Sequence, residues 1–275
     1  MGEFFNAVFY IPILNLLVFF YKLLEIAHIP GPLGFAIILL TIAIRLLLYP
    51  LMAAQMKSAK KMADLKPHLD ALHVKHKDDK TKLQQAQLDL YKEHGVNPAA
   101  GCLPMLVQFP VLIALYQVFY QVLNNTDPTK VLDAINKILY VPALHLSAID
   151  TNFFGIGLGV KPSQWQQHGM WLLAIPVITG LLQFWQTKLM MPQASPTVNS
   201  QELTINKNNQ GDKQKEKTQD TAGEMQKQMA IIMPIMFGYF ALQFPIGLAL
   251  YWNVFGLFGI MQQLSVNRQN KPIIQ

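Results

Sequence analysis

A lone arginine inside an apolar run is the most conspicuous chemical feature of the chain. Residues 34–54 read GFAIILLTIAIRLLLYPLMAA, and Arg45, almost at the centre, is the single charge. Roughly 20 apolar residues cross the hydrocarbon core of a bilayer as a helix rising about 1.5 Å per residue, so this run is long enough to span. An arginine at the middle of such a helix costs about 2.5 to 3.5 kcal/mol, and each Leu, Ile, Phe or Val returns about 0.3 to 0.6. The Ile and Leu around Arg45 outweigh it, but tolerance does not explain why a costly residue is there. Intramembrane charges face a partner charge, a bundle interior or a water-filled cavity. A partner would be an Asp or Glu on another span, because buried charges are paired. No other apolar run contains one: Glu25 lies in the N-terminal segment, and Asp127, Asp133 and Asp150 lie in a loop. A structural ion pair is the weaker reading, and a solvated cavity holding an unpaired positive charge is the stronger.

Amides recur in the other apolar runs. Gln108, Gln117 and Gln121 lie along 101–123, Gln183 and Gln186 along 170–191, and Trp252 and Asn253 along 246–265. A polar stripe on a spanning helix faces a bundle interior or a wet cavity rather than lipid. Any one of these side chains is equally suited to knitting helices together. Catalytic patterns are missing: there is no glycine loop for a nucleotide, no metal-ligand helix pair and no serine nucleophile motif. An intramembrane protease would need a nucleophile paired with a base at membrane depth, and none is visible. His73 and His76 are three apart, but without a convergent third ligand they read as a solvated helix face. The single cysteine, Cys102, excludes an internal disulfide and a multi-cysteine metal site. The expectation is no enzyme, no cofactor and no metal.

The elements that would position these residues follow from hydropathy. The chain has 275 residues, 52% hydrophobic and 14% charged, with a mean hydropathy of +0.24. With its long apolar runs, this indicates an all-α polytopic membrane protein. Five spans are expected, at 34–54, 99–123, 170–191, 228–244 and 246–265. Pro245 joins the last two in a link so short that they must be antiparallel. Residues 1–33 are read as an external interfacial helix and linker. There Ile13, Leu16, Leu17, Phe20, Leu23 and Leu24 share one face, and Asn15, Lys22 and Glu25 interrupt the other. A transmembrane anchor competes, but the run from Ile11 to Leu24 falls short of the roughly 17 to 25 residues it needs. There is no cleavable signal or lipid-attachment cysteine near the N-terminus, so the first hydrophobic segment is expected to do the targeting.

Between the first two spans, 55–98 is read as a helical hairpin. Met62, Leu65, Leu69 and Leu72 form one apolar edge, Leu83, Ala86 and Leu90 the other, and KDDK at 77–80 the turn. Pro67 should kink or loosen its first helix. Residues 124–169 are read as an external loop, 192–227 as a disordered loop, and 266–275 as a short tail. The segments 55–98, 192–227 and 266–275 hold 16 Lys and Arg, whereas 1–33 and 124–169 hold four. The richer set should be cytoplasmic, which puts the N-terminus outside and the C-terminus inside. The formal net charge of +6 is thus membrane topology, and no direct nucleic-acid recognition is expected.

Four stretches carry a family resemblance: TIAIRLLLYPL at 41–51, LKPHLDAL at 65–72, NPAAGCLPMLVQFPVLIALY at 97–116 and FPIGLALYWNVFGLFGIMQQ at 244–263. They resemble the YidC/Oxa1/Alb3 membrane insertases, in the right order and over nearly the whole chain. The resemblance implies a five-span core around a hydrophilic groove, open to the cytoplasm and to lipid but closed outward, with a cytoplasmic hairpin and an external amphipathic helix. It puts the groove arginine at Arg45 and groove-facing positions at Gln186 and Trp252. With the amides above, the candidate groove residues are Arg45, Gln108, Gln183, Gln186, Trp252 and Asn253. The large external domain of Gram-negative relatives and a preceding signal anchor are not expected. The tail after Ser265 carries only Arg268 and Lys271, unlike the long basic ribosome-binding tail of some relatives.

The function these readings converge on is insertion of newly made membrane proteins into the plasma membrane without nucleotide hydrolysis. The expected partners are nascent membrane proteins and the lipid bilayer, with the ribosome and a Sec translocon as further candidates. The alternative, a small-solute transporter or channel, predicts repeated or broken helices at matching positions in two halves, and no repeat is evident.

Overall fold

The computed structural model describes residues 2–76, 79–96, 103–123, 127–190 and 221–269. Most of this is helix, and the one sheet among the described residues is a two-stranded hairpin. Helix α1 runs Glu3–Ile26, with a π-helical turn over Asn6–Tyr10. Its 24 residues are long and apolar enough to cross a membrane by length and composition, which corrects the shorter run read between Ile11 and Leu24. The buried stripe is Ile13, Leu14, Leu17, Val18, Tyr21 and Leu24, so Leu23 lies outside it and Leu14 inside. Asn15 is only 4% exposed instead of lying on a polar outer face. Its burial is tolerated because every polar group of its amide is met. Nδ2 donates to the carbonyls of Ile11 and Ile138, and Oδ1 accepts from Tyr140 N.

Helix α2 (Pro32–Leu47) begins after Gly31, whose φ of 70° reverses the chain, and Pro32 occupies the first turn, where a missing N–H is harmless. The run at 34–54 is not one straight helix. α2 ends at Leu47, α3 runs Tyr49–Asp64, and the two axes differ by 60°. Pro50 explains the break: it lacks the N–H that Leu46 O would accept, and its ring crowds that carbonyl. Arg45 therefore sits in the last turn of α2, not in the middle of a straight span.

The hairpin has three helices, α3, α4 (Lys66–Lys75) and α5 (Lys80–Glu93). Pro67 lies in the first turn of α4 rather than inside a longer helix, since the chain breaks at Leu65 and restarts. Asp79 caps α5 by accepting from Lys82 N at 3.0 Å, and His73 Nε2 meets Gln87 Nε2 at 3.0 Å.

Helix α6 (Leu103–Leu123) contains Pro110. Residues 127–169, expected as a loop, hold a nine-residue helix α7 (Pro128–Asn136), the hairpin β1 (Asn152–Phe153) and β2 (Ile156–Gly157), and the single turn α8 (Trp165–His168). Asp127 caps α7 through the amides of Thr129 and Lys130. The Thr129 hydroxyl first, then the Lys130 ammonium, hold its carboxyl below the usual carboxylate range. Asn136 clips the segment on itself, donating to Leu146 O and accepting from Leu146 N, each at 2.9 Å.

Helix α9 (Ala174–Met190) follows a 3₁₀ turn at Met170–Leu173. Residues 191–220, most of the expected disordered segment, lie outside the described residues. Residues 221–227, expected to be disordered, are instead the start of α10 (Thr221–Gln243). Ala222, Glu224, Met225, Gln226 and Lys227 are good helix formers, and they propagate a helix already nucleated downstream. Helix α11 (Ile246–Gln269) follows α10 after a two-residue link. Its first amides are not orphaned, because Ile246 N and Gly247 N donate to Val160 O and Leu158 O at 2.9 Å.

A continuous core of Leu14, Leu17, Ile37, Leu40, Leu115, Phe119, Ile135, Leu158, Leu172 and Leu248 joins α1, α2, α6, α7, the segment after β2, the turn before α9 and the start of α11. The outward faces of the long helices are also apolar: Phe109, Ile113 and Tyr116 on α6, Val177, Leu181 and Phe184 on α9, Ile231 and Ile235 on α10 are exposed. An exposed belt of that kind needs a non-aqueous neighbour. Among the described residues, two helices can cross a membrane by length and composition and up to three if bent α2–α3 counts as one, while Gln108–Leu123 and Ile231–Gln243 are shorter apolar helices.

Candidate functional site

Arg45 is 4% exposed. At the C-terminal turn of α2 its charge lies near carbonyls left without intrahelical donors, which favours a cation there. Nη2 donates to the backbone carbonyl of Phe255, on α11. The guanidinium carbon lies 3.4 Å from the centroid of the Phe255 ring, close enough for cation–π attraction. Nε is buried without a hydrogen-bond partner among the described residues. The ion pairs between described residues are Lys22–Glu25, Lys82–Asp79, Lys92–Asp89 and Lys130–Asp127, all local i,i+3 pairs. None involves Arg45. A carbonyl dipole and an aromatic face, rather than a carboxylate, hold this charge.

The surround is built from α6, α9 and α11. The Gln186 amide reaches across from α9 to the backbone of α11 at Gly256 and Gly259. Gln108 Nε2 on α6 donates to Tyr251 Oη at 2.7 Å, and the Tyr251 ring lies 5.7 Å from that of Phe255. A ladder therefore runs from Gln108 through Tyr251 and Phe255 to Arg45. Gln108 Oε1, Asn253 Oδ1 and Gln262 Nε2 are buried without partners among the described residues.

The family model described as "60Kd inner membrane protein" matches residues 25–272. The chain belongs to this family. Over 261 residues it is 31% identical to the membrane protein insertase YidC of Granulibacter bethesdensis, covering 92% of this chain and 38% of that protein. Over 242 residues it is 35% identical to the YidC of Oceanobacillus iheyensis, covering 86% of this chain and 74% of that protein. A crystal structure of an active YidC insertase with its first transmembrane domain resolved superposes on 98% of this chain and 48% of the other, with a TM-score of 0.55 and 26% identity. The chain thus spans under half the length of some of its YidC relatives and about three-quarters of another.

The YidC-like chain does not bring all six candidate residues to one point. Arg45 and Gln186 meet at α11, and Gln108 joins them through Tyr251. Trp252 packs in an aromatic cluster with Phe237 at 5.5 Å and Phe244 at 5.7 Å. The Gln183 carbonyl accepts from Thr187 Oγ1 at 2.8 Å, while its side chain is half-buried on α9. Gln121, at the far end of α6, accepts from the Tyr10 hydroxyl of α1. Tyr251, Phe255 and Gly259 were absent from the sequence-level set. Their spacing of four along α11 puts them on one helix face, a signal that could have found them. Among the described residues no three His, Cys, Asp or Glu side chains converge on a metal position.

Proposed function

We propose that this protein is a membrane protein insertase that lets the polar flank of a newly made membrane protein pass partway across the bilayer while its apolar segment moves into lipid. In this reading five spans, formed by α2 with the start of α3 and by α6, α9, α10 and α11, surround a groove open to the cytoplasm, and α1 lies at the external interface. Two things support it: membership of a family whose relatives are named insertases, and a cluster of amides and a cation facing inward while the outer faces are apolar. Polar groups without partners cost several kcal/mol each in lipid, so a polar groove shortens the path over which a substrate flank pays that cost. No nucleotide is needed. Transfer of the apolar span and the membrane potential, about 2.3 kcal/mol per charge per 100 mV, supply the drive.

The observation that carries the reading is Arg45, buried and held by no carboxylate among the described residues. A carbonyl and a ring are exchangeable partners, and an acidic residue of the flank is a stronger one. At an effective dielectric of about 20, opposite charges 4 Å apart attract by about 4 kcal/mol before desolvation. Insertion of one reporter protein with Asp or Asn in its external flank, into vesicles bearing each variant, tests this. Arg45→Ala should slow the Asp form much more than the Asn form, Arg45→Lys should keep part of the function, and Arg45→Glu should be worst. Equal losses for both flanks would reject charge attraction.

A further inference from the structure

The groove reading gives Arg45 a charge to present but does not say what fixes where that charge sits. Phe255 supplies a carbonyl and a ring face from α11. One turn further along, Gly259 supplies space. A Cβ at Gly259 would stand 2.8 Å from Arg45 Nη2, 2.7 Å from Gln186 Nε2 and 3.2 Å from Gln186 Cδ. Two polar groups, from α2 and α9, thus close on one point of a third helix, nearer than a real side chain permits. The backbone of Gly259 has no positive φ, so its conformation does not call for glycine, and in a helix interior alanine is otherwise the better residue. Gly256 differs: a Cβ there would meet Gln186 Oε1 at 3.6 Å and Leu182 Cβ at 4.0 Å, which is ordinary contact.

We propose that Gly259 is the positioning residue for Arg45, its missing side chain being the seat in which the guanidinium lies against Phe255 beside the Gln186 amide. The functional consequence rests on the groove reading, while the seat itself is testable without insertion. The chain has two arginines, Arg45 and Arg268, so phenylglyoxal labelling followed by mass spectrometry of the peptide containing Arg45 reads that side chain alone. With the full chain in nanodiscs, wild type and Gly256→Ala should protect Arg45, and Gly259→Ala should label it several-fold faster. The two alanine variants share the same gain in helix propensity, so equal labelling in both would overturn the proposal. Gly259→Ala/Gln186→Ala removes one of the two crowded groups and should restore part of the protection; labelling as fast as in Gly259→Ala would count against the seat. If Gly259→Ala loses its cooperative thermal transition, the double variant carries the test. If that variant is unfolded too, Gly259 is a folding residue and the proposal is wrong. In the reporter assay Gly259→Ala should lose the Asp-over-Asn advantage to the level of Arg45→Ala. An advantage kept despite labelled Arg45 would break the link between seat and function, whereas no advantage in wild type would reject the groove reading and leave the labelling result standing.

Discussion

At the scale of single residues, the Gln108–Tyr251 pair shows how the site is held. Tyr251 is fully buried, and its hydroxyl has the Gln108 amide as hydrogen-bond donor. Removing one partner strands the other, at about 1 to 3 kcal/mol for an unsatisfied buried group, whereas replacing both by apolar groups of similar shape is close to neutral. Gln108→Ala should therefore lower the thermal stability of the purified protein more than Gln108→Leu/Tyr251→Phe does. A double variant no more stable than the single would show that the hydroxyl has another partner. Arg45 was legible in the sequence because one charge in a long apolar run is visible as composition. Phe255 and Gly259 were not visible as composition, because what they contribute is a backbone carbonyl, a ring face and the lack of a side chain; only their spacing along α11 could point to them. Trp252 was expected toward a groove from the family resemblance, and its ring packs against Phe237 and Phe244, contacts that only the neighbouring helices reveal.

At the scale of elements, α9 and α10 cross through a reciprocal motif. Each carries a proline four residues before a glycine, Pro176 and Gly180 on α9, Pro234 and Gly238 on α10. A Cβ at Gly238 would lie 3.3 Å from Pro176 O, and one at Gly180 would lie 3.4 Å from Pro234 O. Each glycine thus lets its helix approach the other's proline carbonyl, the close packing that small residues permit between helices in a membrane. Gly238→Leu should push α10 away from α9 and destabilise the fold by about 1 to 3 kcal/mol, with Gly2→Leu, which meets nothing within 4 Å, as the neutral reference. A shift in thermal midpoint no larger than that of the reference would refute the crossing. The sequence alone does not show this crossing, since pairing between two segments more than 50 residues apart leaves no local trace. The same limit hid α7, whose nine residues are too few to hold a helix alone. It is fixed by the Asp127 cap and by docking of Val131 and Ile135 into the core.

At the scale of the whole molecule, α1 decides how the bundle meets the two sides of the membrane. By length it can span and it packs along α2, yet the hydrogen bonds its side chains make to other elements gather in one layer. Tyr10 bonds Gln121 at the far end of α6, Asn15 holds Ile138 and Tyr140, and the Tyr21 hydroxyl accepts from Asp150 N at 2.9 Å. Those partners lie at one end of the bundle, in or beside the segment 127–169, along more than 10 residues of α1. That distribution supports the proposed placement of α1 at the external interface. The hairpin α4–α5 lies at the other end of α2 and carries the lysine-rich sequence, so charge distribution and contacts agree on two distinct faces. On the proposed orientation, which follows the positive-inside bias, the hairpin is cytoplasmic and the 127–169 layer external. This orientation can be read with an impermeant maleimide on right-side-out vesicles, using single cysteines in a Cys102→Ser background. Ser147→Cys, at an exposed position of the 127–169 layer, should label in intact vesicles, and Thr81→Cys, exposed on the hairpin, should label only after permeabilisation. Labelling at both positions in intact vesicles would mean that α2 does not cross the bilayer. The reverse pattern would invert the protein, and with it the side from which a substrate flank reaches Arg45.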